Sequence, residues 1–441
     1  MQPNVFFDTH RWRVWYSSFT SCGTDTNVAT CEAHASPCSG RYPLGGHSGK
    51  TAALLYAESA TGVSWSKPKL GLVSKNGSDT NIILDFGHQG TGLGTSVFLD
   101  TKAPPESRWK LFGAGQGTDN TLVLGTSSDG LNFTIWQVNG TQSRLDTHKN
   151  AVFDSRTQRW IGFVRCIPTA GHTRPGCGEN ATSIPCRLRV QCFTESDAEE
   201  FNEGTGWSRA MPTRLNTSDL TYQPDSLIAW EYPEAGIFLG IANAFNPSYE
   251  DKAVTPPGTA NAVLAWSSDG RAWEYVLPNE SFLPRGAAGS WDACSVFGAK
   301  QAPTLLPDPP SMPPGIGADE LPLWYAGCNG AWEGPRACGL GLASVGRHAF
   351  AGYRGGVGGG TVQTAPISIS TGELRVTASG GVTVAVFGVP SLSHEACKPV
   401  RGTSVAVEWT GVEGGLGNFS GGALALEFFL PPGAVVYAME A

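Results

Sequence analysis

Charge is what this sequence is short of. Asp, Glu, Lys and Arg make up 15% of its 441 residues, and the formal net charge is -8. A nucleic-acid binder normally carries a basic stripe, and none is present, so nucleic acid is excluded as a partner. Apolar runs of the roughly 18 to 20 residues that a helical membrane span needs are missing too, and no membrane partner is expected. The opening residues, Met1-Gln2-Pro3-Asn4-Val5, hold no basic region followed by an apolar stretch, so no signal peptide is legible. The composition is also poor material for long helices, which are built mostly from Ala, Leu, Glu, Lys and Arg. What is abundant instead is 57 Gly, 30 Pro and 14 Trp, the material of many short strands and turns.

Eleven cysteines point away from the cytosol. Cys22, Cys31 and Cys38 fall in one loop and Cys166, Cys177, Cys186 and Cys192 in another. These gaps are longer than Cys-x-x-Cys and the eight His show no ligand spacing, so disulfides are expected rather than a metal site. An odd count leaves one thiol over, and Cys397, alone near the C-terminus, is the expected one. Asn-x-Ser/Thr sites at Asn76, Asn132, Asn139, Asn180, Asn216, Asn279 and Asn418 fit a glycosylated secreted or lumenal protein. Either a mature protein or a truncated N-terminus would then account for the missing signal peptide.

A short apolar core recurs along the chain: Asn4-Val5-Phe6-Phe7-Asp8, Ser96-Val97-Phe98-Leu99-Asp100, Ala151-Val152-Phe153-Asp154, Ser226-Leu227-Ile228-Ala229 and Ser295-Val296-Phe297-Gly298. Each is followed by an aromatic-rich strand, as at Trp12-Arg13-Val14-Trp15-Tyr16 or Trp160-Ile161-Gly162-Phe163-Val164, and then by a third strand. Three of the third strands lead into turns ending in an aromatic, at Trp65, Phe133 and Trp273. Two of those turns contain Asp-Gly, where glycine tolerates the positive φ of a tight loop, so the aromatic is expected on the outermost strand. The fifth copy is looser, at Gly346-Arg347-His348-Ala349-Phe350.

A unit of three or four strands cannot bury both faces alone, so such units stack around an axis and close a ring. Five copies predict an all-β fold with a five-bladed β-propeller over residues 1–355. After the glycine run Gly355 to Gly360, which is either flexible or closely packed, alternating segments such as Val382-Thr383-Val384-Ala385-Val386 predict a small β-sandwich over 361–441.

The chain resembles the five-bladed glycoside hydrolases of families 32, 43 and 68, and most of all family-32-like proteins with a C-terminal sandwich. The resemblance is carried by Tyr56-Ala57-Glu58-Ser59 with Trp65, by Phe98-Leu99-Asp100 with Arg108-Trp109-Lys110, and by Asp146 to Asp154 with Arg165. Pro284-Arg285-Gly286 with Trp291-Asp292 and Gly339-Leu340-Gly341-Leu342-Ala343 complete it. It implies a hydrolase acting on a furanoside or related oligosaccharide at the axis, where the inner strands begin. Glycoside cleavage needs two carboxyl groups, about 5 to 5.5 Å apart for retention and 6.5 to 9.5 Å for inversion. Asp146, Asp225 and Asp292 stand at the starts of the third, fourth and fifth inner strands. In the family the third-blade aspartate stabilises the oxocarbenium-like transition state, and Asp146 matches that position, leaving Asp292 or Asp225 as base or nucleophile.

Around these, His148, Arg165, Asn4, Tyr222 and Trp291 are candidate substrate-binding residues, and the sequence assigns no cofactor and no metal site. The bland alternatives are turn-capping for the aspartates, an ordinary hydrogen bond for His148, a surface pair for Arg165 and core packing for the aromatics. The chain departs from the family in two places. Gln2-Pro3 stands where a catalytic Asp beside Pro is expected, and no Glu opens an inner strand; Glu231 lies past its strand and Glu58 sits in a third strand. A non-catalytic carbohydrate-binding propeller is therefore the alternative reading.

Overall fold

The computed structural model describes residues 3–8, 10–20, 26–27, 32–33, 51–86, 94–114, 122–138, 148–166, 190–197, 199, 201, 206–215, 223–245, 259–278, 280–301, 312–330, 337–369, 372–413, 415–419 and 422–441. The fold is all-β. The chain divides into one compact unit of Met1–Pro314 with Pro322–Ala343 and a second of Gly315–Leu321 with Ser344–Ala441.

Antiparallel meanders in chain order build the first unit. The first sheet runs Asn4–Asp8, Arg11–Thr20, Thr51–Ser59, Ile82–Asp85; the second Ser96–Leu99, Trp109–Ala114, Leu122–Ser127, Thr134–Gln137. The third comprises Asn150–Asp154, Arg159–Cys166, Val190–Glu195 and Met211–Pro212. A fourth meander, Gln223–Tyr232, Ile237–Phe245, Ala260–Ser267 and Ala272–Tyr275, meets a fifth, Ser295–Gly298, Glu320–Cys328 and Cys338–Gly346, through the parallel pair Ala260 and Ser295. The fifth has three strands among the described residues, and the loose stretch after Gly346 is a turn.

Both faces of each sheet are apolar, and each interface has its own core. Trp15, Leu54 and Tyr56 of the first sheet pack on Val97, Trp109 and Leu111 of the second. Phe98, Phe112 and Leu124 pack on Ala151, Trp160 and Val164 of the third, and Ile161, Phe163 and Phe193 on Leu227, Phe238 and Trp273 of the fourth. Ala260 meets Phe297 and Ala326, and Ala299 and Trp324 return to Val5, Trp12 and Val14. The apolar packing therefore runs from sheet to sheet and closes on itself. Close approach is built in: a Cβ on Gly162 would lie 2.3 Å from the Phe112 ring, so only glycine admits that ring.

The Ser-x-Asp-Gly turns hold neighbouring sheets together. The Ser127 hydroxyl accepts from Gly130 N–H at 3.0 Å while Trp15 Nε1 of the first sheet donates to Gly130 O at 2.7 Å. Ser267 and Gly270 repeat the first bond at 2.8 Å. Of the three turn aromatics, Trp273 lies within an outer strand, whereas Phe133 directly precedes one and Trp65 precedes a lone bridge from Ser66 to Glu58. Trp65 and Trp273 both turn their indole N–H back onto the glycine carbonyl of their own turn, Gly62 and Gly270, at 3.1 and 2.9 Å, so the aromatic closes the turn.

Disulfides join neighbouring strands at Cys166–Cys192 and Cys328–Cys338, and Cys294 is disulfide-bonded as well. Cys397 is a buried free thiol, as expected. Cys22, Cys31, Cys38, Cys177 and Cys186 lie outside the described residues. Among the described residues no helix is long and apolar enough to cross a membrane.

In the second unit the long strand Arg375–Val386 pairs with Val400–Ala406, Val435–Glu440 and Leu426–Leu430, and the last of these pairs with Gly360–Gln363. Tyr353–Arg354 adds to Val435–Glu440, and Ile367–Ser368 pairs with Ala423–Leu424. Its core is separate and apolar, centred on Leu374, Val376, Val382, Val384, Leu426, Phe428 and Trp409.

Candidate functional site

Four inner strands open on a small polar residue, Asn4, Ser96, Asn150 and Ser295, and the remaining one, Gln223–Tyr232, carries Ser226 just past an irregularity in its register; all five residues are buried. Polar groups sealed from water must find partners, and the first three of these residues find them on the next sheet. Asn4 Oδ1 accepts from Val97 N–H at 3.0 Å, the Ser96 hydroxyl donates to Lys149 O at 2.5 Å, and Asn150 Oδ1 accepts from Ala229 N–H at 3.1 Å. Between fifth and first sheets, Lys300 N–H donates to Pro3 O and Val5 N–H to Gln301 Oε1, each at 2.8 Å. The Asn4 Oδ1 is thus committed to the framework. Apart from Asn4, these residues escaped the sequence reading as site members, although the recurrent small polar residue ahead of each apolar core is visible in the sequence.

Within this ring stands one buried ionic cluster. Asp225 follows Gln223 and Pro224 at the start of its strand and is fully buried. His148 Nε2 lies 2.7 Å from Asp225 Oδ2, and Arg165 Nη1 donates to Asp225 Oδ1. Both partners come from the third sheet's segment, His148 just before its inner strand and Arg165 near the end of its second. Burial lowers the His148 pKa to about 4, Arg165 and Lys300 adding to that effect and the Asp225 carboxylate opposing it. The imidazole is therefore neutral at pH 7.

Two lysines complete the cluster. Lys149 and Lys300 are both buried, and Gly94 O accepts from the Lys149 amide at 3.0 Å and from the Lys300 ammonium nitrogen. Burial first, and then the charge of Lys149, lower the Lys300 pKa well below its ordinary value. Neither lysine was singled out in the sequence, where a lysine reads as a solvated side chain.

Asp292 and Trp291 belong to a different group on the fifth meander. Asp292 accepts from Ser290 Oγ at 2.8 Å and from Tyr325 Oη at 3.0 Å. Burial raises the Tyr325 pKa to about 12, helped by its hydrogen bond to Asp292, so the phenol stays a donor. Trp291, 42% exposed, stacks on Tyr325 at 5.7 Å between ring centres. None of the described contacts of Asp292 involves His148, Arg165 or Asp225. Asp146, Tyr222 and Gln2 lie outside the described residues. Glu231 accepts from Ser155 Oγ at 2.6 Å and sits six positions beyond Asp225 on one extended strand, about 20 Å away at the usual rise. Glu58 is engaged by Arg11 at 2.7 Å.

Chemically, the cluster offers a carboxylate held from two sides, one holder permanently cationic and the other a neutral imidazole. Among the described residues, no group of three or more His, Cys, Asp and Glu is placed to hold a metal ion.

No protein-family model matches the sequence, and no curated protein does. Solved structures align with it over most of its length. An N-acetylgalactosamine deacetylase from F. plautii, in complex with blood group B trisaccharide, aligns at 14% identity and a TM-score of 0.42, over 78% of this chain and 90% of that one. A glycosyl hydrolase from Bacteroides ovatus aligns at 10% identity and a TM-score of 0.43, over 77% and 82%. A GH43 β-xylosidase/α-arabinofuranosidase from a compost microbial metagenome, in complex with xylotriose, aligns at 9% identity and a TM-score of 0.36, over 77% and 90%. Glycoside hydrolases thus recur among the structures this chain is similar to; at such identities and scores the likeness fixes neither substrate nor mechanism.

Proposed function

We propose that this protein is a carbohydrate-active hydrolase on a five-bladed propeller, cleaving a furanoside or related oligosaccharide where the inner strands begin. The observation that carries the reading is Asp225, a fully buried carboxylate clamped by Arg165 and His148 at a strand start. An anionic oxygen fixed in this way suits a developing positive charge at an anomeric carbon, and it costs no reorganisation when that charge forms. Cyclic packing of five meanders supports the five-bladed description. In this reading Asp225 is the axial carboxylate, Arg165 and His148 position it, and Asp146, two residues ahead of His148, supplies the second carboxyl group. Asp292 with Trp291 lines the fifth-blade side. A secreted or lumenal location belongs to the same proposal, supported by the disulfides and by exposed sequons at Asn76 and Asn132.

The test is hydrolysis of a panel of aryl furanosides and pyranosides by the full-length protein, beside Asp225→Asn and Asp146→Asn variants confirmed as folded. The proposal expects turnover of at least one substrate, falling by about a hundredfold or more in each variant. Turnover that survives both substitutions rejects it. One observation favours a second reading, a sugar-binding propeller without catalysis: among the described residues the cluster contains a single carboxylate, Asp225. Binding measured by calorimetry with no turnover on any substrate would select that reading.

A further inference from the structure

The glycine run between the repeats and the final strands takes on a purpose in the second unit. Strands Gly360–Gln363, Leu426–Leu430 and Arg375–Val386 lie side by side, and alternation sends Val362, Leu426, Phe428, Val382, Val384 and Val386 into the core. The register leaves two rows on the outer face. Thr361, Phe429 and Thr383 form one, and Gln363, Glu427 and Ala385 form the other.

Phe429 is 41% exposed in the middle of its row. Its ring stays bare because the neighbouring chain is glycine: a Cβ on Gly359 would sit 3.5 Å from the Phe429 ring, and a side chain continuing from it would reach over the ring. Cβ positions built on Gly358 and Gly360 meet nothing within 4 Å. Beside the ring, His394 is fixed from both ends, Nε2 lying 3.0 Å from Glu427 Oε1 and Nδ1 lying 3.1 Å from Thr383 Oγ1. Its ring meets Phe429 edge-on, 6.2 Å between centres.

An exposed aromatic ring surrounded by aliphatic groups suits a protein partner. This ring is surrounded by two hydroxyls, an amide, a carboxylate and an oriented imidazole, each of which gives or takes hydrogen bonds at the rim of a flat apolar surface. A sugar ring has the complementary chemistry, with C–H groups on its face and hydroxyls around its edge. We propose that this face is a glycan-binding platform, in which Phe429 stacks on one sugar ring while Thr361, Thr383, Glu427 and His394 hold its hydroxyls. The platform is independent of any hydrolysis by the first unit.

Affinity electrophoresis of the full-length protein in gels containing soluble xylan, arabinan or inulin tests it, with Phe429→Ala and Phe429→Tyr alongside. Because Phe429 is outward-facing, both variants should melt with the parent. The expected result is retardation by at least one polysaccharide, weakened about tenfold or more by Phe429→Ala and kept by Phe429→Tyr. No retardation by any of the three overturns the proposal, as does retardation that Phe429→Ala leaves intact. Self-association seen by sedimentation and abolished by Phe429→Ala, without polysaccharide binding, also overturns it and assigns the face to a second copy of the chain.

Discussion

Gly94 passes so close to His148 that a Cβ on the glycine would lie 2.3 Å from the His148 amide nitrogen and 2.7 Å from its Cα. Both residues have positive φ, +78° for Gly94 and +69° for His148, so neither segment can retreat without changing a conformation that most residues avoid. Gly94→Ala therefore forces the His148 backbone or the Gly94 segment to shift. Urea unfolding should show a loss of about 1–3 kcal/mol, the range for strain at a special backbone position. A stability change under about 0.5 kcal/mol would contradict the packing.

The buried imidazole gives stability a pH dependence of defined sign. His148 has a folded pKa of about 4 against an ordinary 6.5, so between those values the unfolded chain binds a proton that the folded chain refuses. Stability is fully present above about pH 6.5 and falls as pH drops towards 4, by up to roughly 3 kcal/mol. Other groups titrate in the same window, so the measurement is a difference. Urea midpoints of the parent and of His148→Asn, whose side chain tolerates positive φ, should diverge least at pH 4 and most at pH 7 if the parent's own loss comes from His148.

Asp225 and Arg165 form a buried pair whose members cannot be removed singly at low cost. Asp225→Asn strands a guanidinium and Arg165→Gln strands a carboxylate, each expected to cost about 3–5 kcal/mol. The double variant should cost clearly less than the sum, and a thermodynamic cycle from urea unfolding gives the coupling directly. Additive losses would mean that the pair is not coupled.

Arg13 links the first two sheets in a way lysine cannot copy. Its guanidinium carbon lies 4.8 Å from the Trp15 ring centre and 4.9 Å from that of Trp109, while Nη2 donates to Asp129 O at 2.5 Å. Arg13→Lys keeps the charge and loses the planar stack with its fixed fork, for an expected loss of about 1–2 kcal/mol. Arg156 occupies the comparable place between third and fourth sheets, 4.8 Å from the Phe238 ring centre with Nη1 donating to Ser268 O at 2.6 Å. The lysine substitution there should be milder, because Arg156 is more exposed than Arg13.

The strands were the most legible part of this sequence, because each apolar core is bounded by a polar residue and a turn. Asn4–Asp8 and Ser295–Gly298 begin and end where those signals place them. The site was legible one partner at a time. His148, Arg165 and Asp225 could each be named, but their meeting depends on how two sheets face each other, over a separation of 77 residues for His148 and Asp225, which no local pattern encodes. Lys149 and Lys300 stayed hidden because a lysine is buried only when its surroundings are known. Asn150 stayed hidden because a strand-opening asparagine resembles a turn residue until its partner on the next sheet is seen.

The bond from Val5 N–H to Gln301 Oε1 spans 296 positions in the chain, and Ala299 and Trp324 supply the far half of the surface against which Val5 and Trp12 pack. During synthesis the first sheet must therefore wait, one apolar face uncovered, until the segment that begins 296 positions further on has emerged. Folding should be slow and its last step should be this closure, since contacts so distant in sequence repay their loop entropy only at the end. The waiting face is the surface on which a nascent chain would aggregate or recruit a chaperone. A circular permutant that joins the ends of the first unit and opens it between two other sheets would move that vulnerable face elsewhere without altering the finished ring.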